Sequence, residues 1–179
     1  MTGRSRTWSG VICDAGMIYF DVRPSAHLPT LELRICDSCP AVEDVVLLAG
    51  LFRALVIRET AAEHDGRPPV PVRPGLVEAA TWRAARSGLQ GDLVDPVTAS
   101  PVPAGQLIGQ LLVGLRPALD AAGDWELVRE LASSAVAGGG SAARQRAARA
   151  SGGLRGVVDT LIAETRAVPP WLQGALRVA

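Results

Sequence analysis

The sequence predicts an α+β chain in which two to three short strands come first and about five helices follow. Three observations predict it. Apolar and polar residues alternate from Leu31 to Ile35, the period of a half-buried strand. Apolar residues recur at helical spacing from Val42 to Val56 and again from Leu107 to Leu119. Gly, Pro and Asp, which break regular structure, punctuate the stretches between them.

Taken in order, residues 1–10 are polar and read as a disordered lead. Val11-Ile12-Cys13 and Met17 to Arg23 are short apolar segments around the turn signal Asp14-Ala15-Gly16, a hairpin pattern. Pro24 ends the second segment, and Ser25 to Pro29 forms a loop before the strand Leu31 to Ile35. Pairing these strands sets Asp21 and Arg23 beside Glu32 and Arg34 and concentrates charge on one sheet face. Ser38 or Cys39 is expected to cap the next helix, with Pro40 in its first turn and Glu43 and Asp44 near its positive end. Its wide apolar face predicts a largely buried helix that stops near His64-Asp65-Gly66.

Residues 67–75 hold four prolines and read as a linker. From Leu76 onward the chain reads as helical to its end. Helices are expected over Leu76 to Ser87, Ala104 to Ala122, and Trp125 to Ala137 with Asp124 as cap, and then from Ser141 to about Ala150 and from Leu154 to Arg166. Gly88, Gly123, the run Gly138 to Gly140 and Ser151-Gly152-Gly153 are the breaks, and Asp95-Pro96 marks a turn. Val168-Pro169-Pro170-Trp171 begins an exposed tail. The whole reads as a single partial domain, with strands in 11–37, helices in 38–167 and a tail over 168–179.

Composition excludes several functions. Eighteen basic and eighteen acidic residues give a formal charge of zero and are spread along the chain, which argues against a nucleic-acid footprint or a polybasic membrane surface. The densest apolar run, Val45 to Leu51, is far shorter than the ~18 residues of a membrane span. Met1 to Gly10 has two arginines and no apolar core, so no secretory signal is read there. With three cysteines, the expected compartment is a reducing cytoplasm.

Several motifs compete for the chemistry. Cys36-Asp37-Ser38-Cys39 stands at a strand-to-helix junction where a redox dithiol belongs, but Asp37 disfavours a thiolate. Cys13, His27, Cys36 and Cys39 have the ligand types of a zinc site but lack a second paired knuckle. Gly138 to Gly140 lacks the preceding strand and the Gly-Lys-Ser/Thr ending of a phosphate loop, and reads as a flexible connector. Glu32 and Arg34, two residues apart on one strand face with Thr30, are either a surface ion pair or a metal ligand beside a phosphate clamp.

The segment around them favours the second alternative. Tyr19-Phe20-Asp21-Val22-Arg23-Pro24-Ser25, then Thr30-Leu31-Glu32-Leu33-Arg34-Ile35-Cys36-Asp37, resembles the central motif of carboxylate–amine ligases of the glutamate–cysteine ligase type 2 family. The likeness continues through Trp82-Arg83-Ala84-Ala85-Arg86-Ser87-Gly88-Leu89, Leu93-Val94-Asp95-Pro96, Arg144-Gln145-Arg146 and Val157-Val158-Asp159. It implies a glutamine-synthetase-like fold whose antiparallel sheet forms one wall of the active site. It also implies ligation of the glutamate γ-carboxylate to an amine such as that of cysteine, with ATP and magnesium.

On this resemblance Glu32 is the magnesium ligand, Arg34 and Arg23 are the catalytic phosphate or carboxylate clamps, and Arg34, Arg86 and Arg144 contact the nucleotide. Family members begin with a Gly-x-Glu-x-Glu strand that Met1 to Gly10 does not match, so the chain is expected to be the C-terminal half. Ala79 and Ala80 stand where an Asn usually precedes the tryptophan motif. The expected partners are the small-molecule substrates and either a second copy or the missing N-terminal half. The alternative is a non-catalytic remnant that acts by association.

Overall fold

The computed structural model describes residues 21–25 and 27–176. The chain divides between Ser38 and Cys39 into two compact units. The expected strand Val11 to Cys13, the turn Asp14 to Gly16 and the start of the segment from Met17 lie outside the described residues. The α+β class holds: the described residues form two antiparallel two-stranded sheets, five long helices and one short one.

In the first unit, β1 (Val22–Pro24) pairs with β2 (Leu31–Leu33) so that Val22 faces Leu33, Arg23 faces Glu32 and Pro24 faces Leu31. Pro24 cannot donate to a ladder, and it occupies the last position of its strand. The Arg34 amide donates to the Asp21 carbonyl at 2.8 Å, and the Ser25 amide donates to Thr30 at 2.8 Å across the loop. The alternation at Leu31 to Ile35 thus yields a shorter strand than expected. Its ladder ends opposite Val22, and Ile35 is exposed.

The second unit begins with α1 (Val42–His64). The expected cap at Ser38 or Cys39 is not used. Ala41 is the N-cap, with an extended backbone and no side-chain cap bond, so Pro40 lies outside the helix. Glu43 and Asp44 still sit in the first turn, where the helix dipole favours them. The expectation of a largely buried helix is corrected as well. Only Gly50 and Ala54 are fully buried, because the helix packs chiefly on two neighbours and its apolar residues extend beyond that face to exposed Val45 and Ile57.

Helix α2 (Pro74–Ser87) starts two residues early, since the fixed φ of Pro74 suits a first helical position. Gly88, at φ +56°, ends it as expected. The next segment corrects the all-helical reading. After a single 3₁₀ turn, Gly88–Gln90, β3 (Asp92–Val94) pairs antiparallel with β4 (Pro101–Pro103). Three-residue strands are too short to show a period, and β4 carries two prolines. The turn signal at Asp95 is real: its carboxylate accepts from the Val97 amide at 2.8 Å and the Thr98 hydroxyl at 2.9 Å. Those bonds, the Val97 amide foremost, hold the Asp95 carboxyl below its usual range.

Helix α3 (Ala104–Ala122) has the expected bounds and ends at left-handed Gly123. Helix α4 (Trp125–Gly138) follows. Asp124 stands at its N-cap but its side chain makes no cap bond; it pairs instead with Arg53 of α1. Next, α5 runs over Gly140–Arg166 with one non-helical residue, Gly153, at φ 62° and ψ −156°. In a straight helix, Arg144 and Glu164 would lie about 30 Å apart, yet they are hydrogen-bonded at 2.6 Å. The chain therefore reverses at Gly153, and α5 is a helical hairpin with the two arms expected on either side of Ser151-Gly152-Gly153. The tail is exposed at Val168, Pro170 and Trp171 as expected, but Pro169 is buried, and α6 (Pro170–Leu176) forms where no helix was read.

The core lies among α1, α3 and α4, where Ala54, Leu112, Leu115, Ala118, Leu119, Val128 and Ala132 pack together. Leu47, Leu51, Leu55, Ile108, Leu111 and Trp125 close around them. A Cβ on Gly50 would come within 2.5 Å of Val128 Cγ2, so α1 and α4 meet at a distance that only glycine permits. Leu115→Ala is expected to destabilise the chain by about 2–5 kcal/mol in urea denaturation. Gly50→Ala is expected to destabilise by about 1–3 kcal/mol through overpacking, despite alanine's better helix propensity.

Candidate functional site

The register of the first hairpin places Arg23 opposite Glu32, and their side chains meet. Arg23 Nε donates to Glu32 Oε2 at 2.7 Å. The Arg23 side chain is only 15% exposed and Glu32 is 37% exposed, so the cation is covered while the carboxylate still reaches solvent. The hydrogen bond from Arg23 holds the Glu32 carboxyl below its ordinary value, and the charges of Arg23 and Arg34 and a bond from Ser25 act in the same direction. Arg34 is exposed, and its backbone amide continues the ladder onto Asp21. The strand face is thus charged as its pattern predicts, but the cross-strand Arg23, rather than Arg34, makes the hydrogen bond to Glu32.

Arg86 and Arg144 belong to the second unit and have separate surroundings. Arg86, near the end of α2, lies over the exposed Trp82 ring with its guanidinium carbon 5.9 Å from the ring centroid. Arg144, on the first arm of α5, is held by two carboxylates. Its Nε donates to Glu164 Oε1 at 2.6 Å, and its Nη2 donates to Asp44 Oδ2 at 3.3 Å. The Glu164 bond, with the charges of Glu164 and Asp44, raises the Arg144 pKa further. The three side chains stand at a groove of about 670 Å³ that Glu43, Glu130 and Trp171 also line.

An ionised carboxylate on a strand face is the hard oxygen donor that magnesium takes, so Glu32 fits the metal in kind. It does not fit in number: among the described residues no group of three or more His, Cys, Asp and Glu could hold a metal ion. Cys36 is exposed and Cys39 half-buried, and Cys13 lies outside the described residues. The sequence reading missed Asp44 and Glu164 as partners of Arg144. A signal was present, since Arg144 and Glu164 lie at similar distances on either side of the Gly152-Gly153 break that it identified. It also missed the Trp82–Arg86 contact, which an i, i+4 spacing announces.

A family model described as glutamate-cysteine ligase family 2 matches residues 4–161. A protein provisionally named glutamate–cysteine ligase 2-2 from Frankia casuarinae is 58% identical over 90% of this chain and 19% of its own length. One of the same provisional name from Mycolicibacterium smegmatis is 55% identical over 94% of this chain and 43% of its own. A third, provisionally named glutamate–cysteine ligase 2, from Salinispora arenicola, is 46% identical over 90% and 43%. The chain thus spans less than half the length of these relatives. No helix among the described residues is long and apolar enough to cross a membrane.

The Arg23–Glu32 pair has a pH consequence. A folded pKa below the ordinary 4.5 means that folding favours the carboxylate. Its contribution is therefore present above 4.5 and is lost as pH falls through the depressed folded value. Carbon-detected NMR titration is expected to place the Glu32 midpoint below 4.5, and Arg23→Gln to move it back up. An unchanged midpoint in Arg23→Gln would show that the pair does not control this carboxylate.

Proposed function

Because the chain belongs to glutamate–cysteine ligase family 2, we propose that it forms part of an ATP-dependent carboxylate–amine ligase that joins the glutamate γ-carboxylate to an amine such as that of cysteine. The observation that carries this reading is the first hairpin. Its register brings Arg23 and Glu32 together, with Arg34 two residues beyond Glu32, inside the region that the family model matches.

The chemistry explains these residue types. A carboxylate is a poor acylating agent, and transfer of the ATP γ-phosphoryl group onto its oxygen makes an acyl phosphate and releases ADP. The amine nitrogen then attacks the acyl carbon, the carbon–oxygen bond to phosphate breaks, and the amide forms as inorganic phosphate and a proton leave. Negative charge on phosphoryl oxygens must be met at both stages, and a planar guanidinium meets it with two parallel hydrogen bonds. Arg34 takes that role, and Arg23 both supports it and fixes the Glu32 carboxylate. Glu32 would contribute one oxygen to magnesium, which when bound supplies positive charge against the phosphates. The remaining oxygens must come from water, substrate or another segment.

Arg86 and Arg144 enter this proposal as nucleotide contacts. Trp82 beside Arg86 offers an apolar face with a cation on it. Arg144 would have to exchange a carboxylate partner for a phosphate. Since the chain covers 43% of a relative 55% identical to it, the proposed active species is an assembly with the rest of the ligase, or a homo-oligomer, in the cytoplasm. The same partial cover favours a second reading, a non-catalytic module that pairs with a separate N-terminal half.

The test is ATP-dependent ligation, followed as ADP release that requires both glutamate and cysteine, with the chain alone and with the upstream gene region restored. The chain alone is expected to show no useful turnover and the restored protein to show it. In the restored protein, Arg34→Ala should lower kcat by about a hundredfold, and Glu32→Ala should weaken magnesium–nucleotide binding. Unchanged affinity in Glu32→Ala would remove the metal role. Absence of ligation in the restored protein would leave the association module.

A further inference from the structure

The second arm of α5 is attached at its two ends and lightly between them. None of α5 is fully buried. In residues 154–166 the half-buried positions are Gly156, Val157, Thr160, Leu161 and Glu164, which form one helical face. The apolar residues Leu154, Val158 and Ile162, at 73%, 53% and 44% exposure, lie off that face. Little apolar area therefore holds the arm down.

At the near end, Gly153 carries the reversal with a backbone conformation that L side chains rarely adopt. A Cβ on Gly156 would stand 2.8 Å from the Ala148 carbonyl oxygen, so the arms are in close backbone contact beside the turn. At the far end, Glu164 takes Arg144 Nε at 2.6 Å and Nη2 at 3.4 Å, and the same Nη2 reaches Asp44 of α1 at 3.3 Å. The side chains of Arg144, Asp44 and Glu164 are 32%, 25% and 17% exposed. That is covered enough for charged hydrogen bonds to matter and open enough for salt to weaken them.

We propose that residues 154–166 are a hinged arm that swings about Gly153, and that Arg144 is the latch which holds it closed beside the groove lined by Leu127, Glu130 and Leu131. Arg144 is suited to this because one guanidinium on the first arm bonds Glu164 of the second arm and Asp44 of α1, so losing it releases the second arm from both the first arm and α1. With the latch open, the arm is held by the half-buried contacts of Val157, Thr160 and Leu161, by the close approach at Gly156 and by buried Pro169 beyond its end, and the groove loses the wall that Glu164 supplies. The device stands independently of the ligase reading, because it uses only contacts within the second unit.

The test is amide hydrogen exchange by mass spectrometry on the full chain. In Glu164→Gln, and in the unmodified chain as sodium chloride rises from low to high concentration, peptides within 154–166 are expected to exchange about tenfold faster. Peptides from α3 should keep their protection. Arg144→Lys, which keeps the charge and loses the fork, should give an intermediate rate. The salt series needs no variant, so a misfolded substitution does not decide the outcome. Rates over 154–166 that ignore both salt and Glu164→Gln would overturn the latch. So would a loss of protection that appears there only together with α3, since that is global unfolding.

Discussion

The second unit depends on how closely α1 and α4 approach. Gly50 stands where any side chain would meet Val128, and Val128 is almost wholly enclosed, so the two helices touch backbone against side chain at that point. This contact brings α1 within reach of α3, whose Leu112, Leu115 and Leu119 fill the space beneath. Without it, Ala54 and Ala132, which are too small to bridge a wider gap, would leave voids in a core that works only at close packing. The polar contacts of the unit follow from the same approach. Arg53 on α1 reaches Asp124, and Arg116 on α3 lies over Trp125 at 4.6 Å, each tying α4 to a neighbour at its N-terminal end.

The arginines divide by what surrounds them. Arg23 is covered and pairs across the strands, and Arg144 is covered and bonds two carboxylates on different helices. Arg86 stacks on an exposed ring, and Arg34 is exposed. An arginine that already holds carboxylates gives them up only to a competitor of equal or greater charge, such as a phosphate. Under the proposed function, Arg86 therefore meets an incoming phosphate more readily than Arg144. The sequence sorts them by motif, and the structure separates Arg23, Arg86 and Arg144 by partner.

Much of the fold was legible because its signals are local. The leucines of Ala104–Ala122 fall at helical spacing and Gly123 closes the helix, so both bounds could be read. Gly153 likewise announced a break between two helical arms. Pairing was harder. The hairpin of β3 and β4 contains three residues a side and two prolines, and only the Asp95 turn showed. Caps misled for a similar reason. Asp124 has the right type and place to cap α4, yet its carboxylate serves a tertiary ion pair with Arg53. At the site, the alternation Thr30 to Arg34 put Glu32 and Arg34 on one face, but only the register showed that Arg23 is the partner of Glu32.

That partner changes what Glu32 can do. A carboxylate opposite a covered guanidinium stays ionised at lower pH and in a fixed orientation, whereas one beside an exposed arginine keeps its side-chain freedom. Fixing it in advance lowers the entropy lost when a cation binds, and the arginine also opposes that cation by its own charge. The two effects have opposite signs, so an isolated Glu32 would be a weak metal ligand. In the proposed ligase it would become an effective one only where phosphate oxygens arrive with the metal, because they would draw on the guanidinium and relieve its repulsion. On that proposal the hairpin would be better matched to a metal–phosphate pair than to either ion alone.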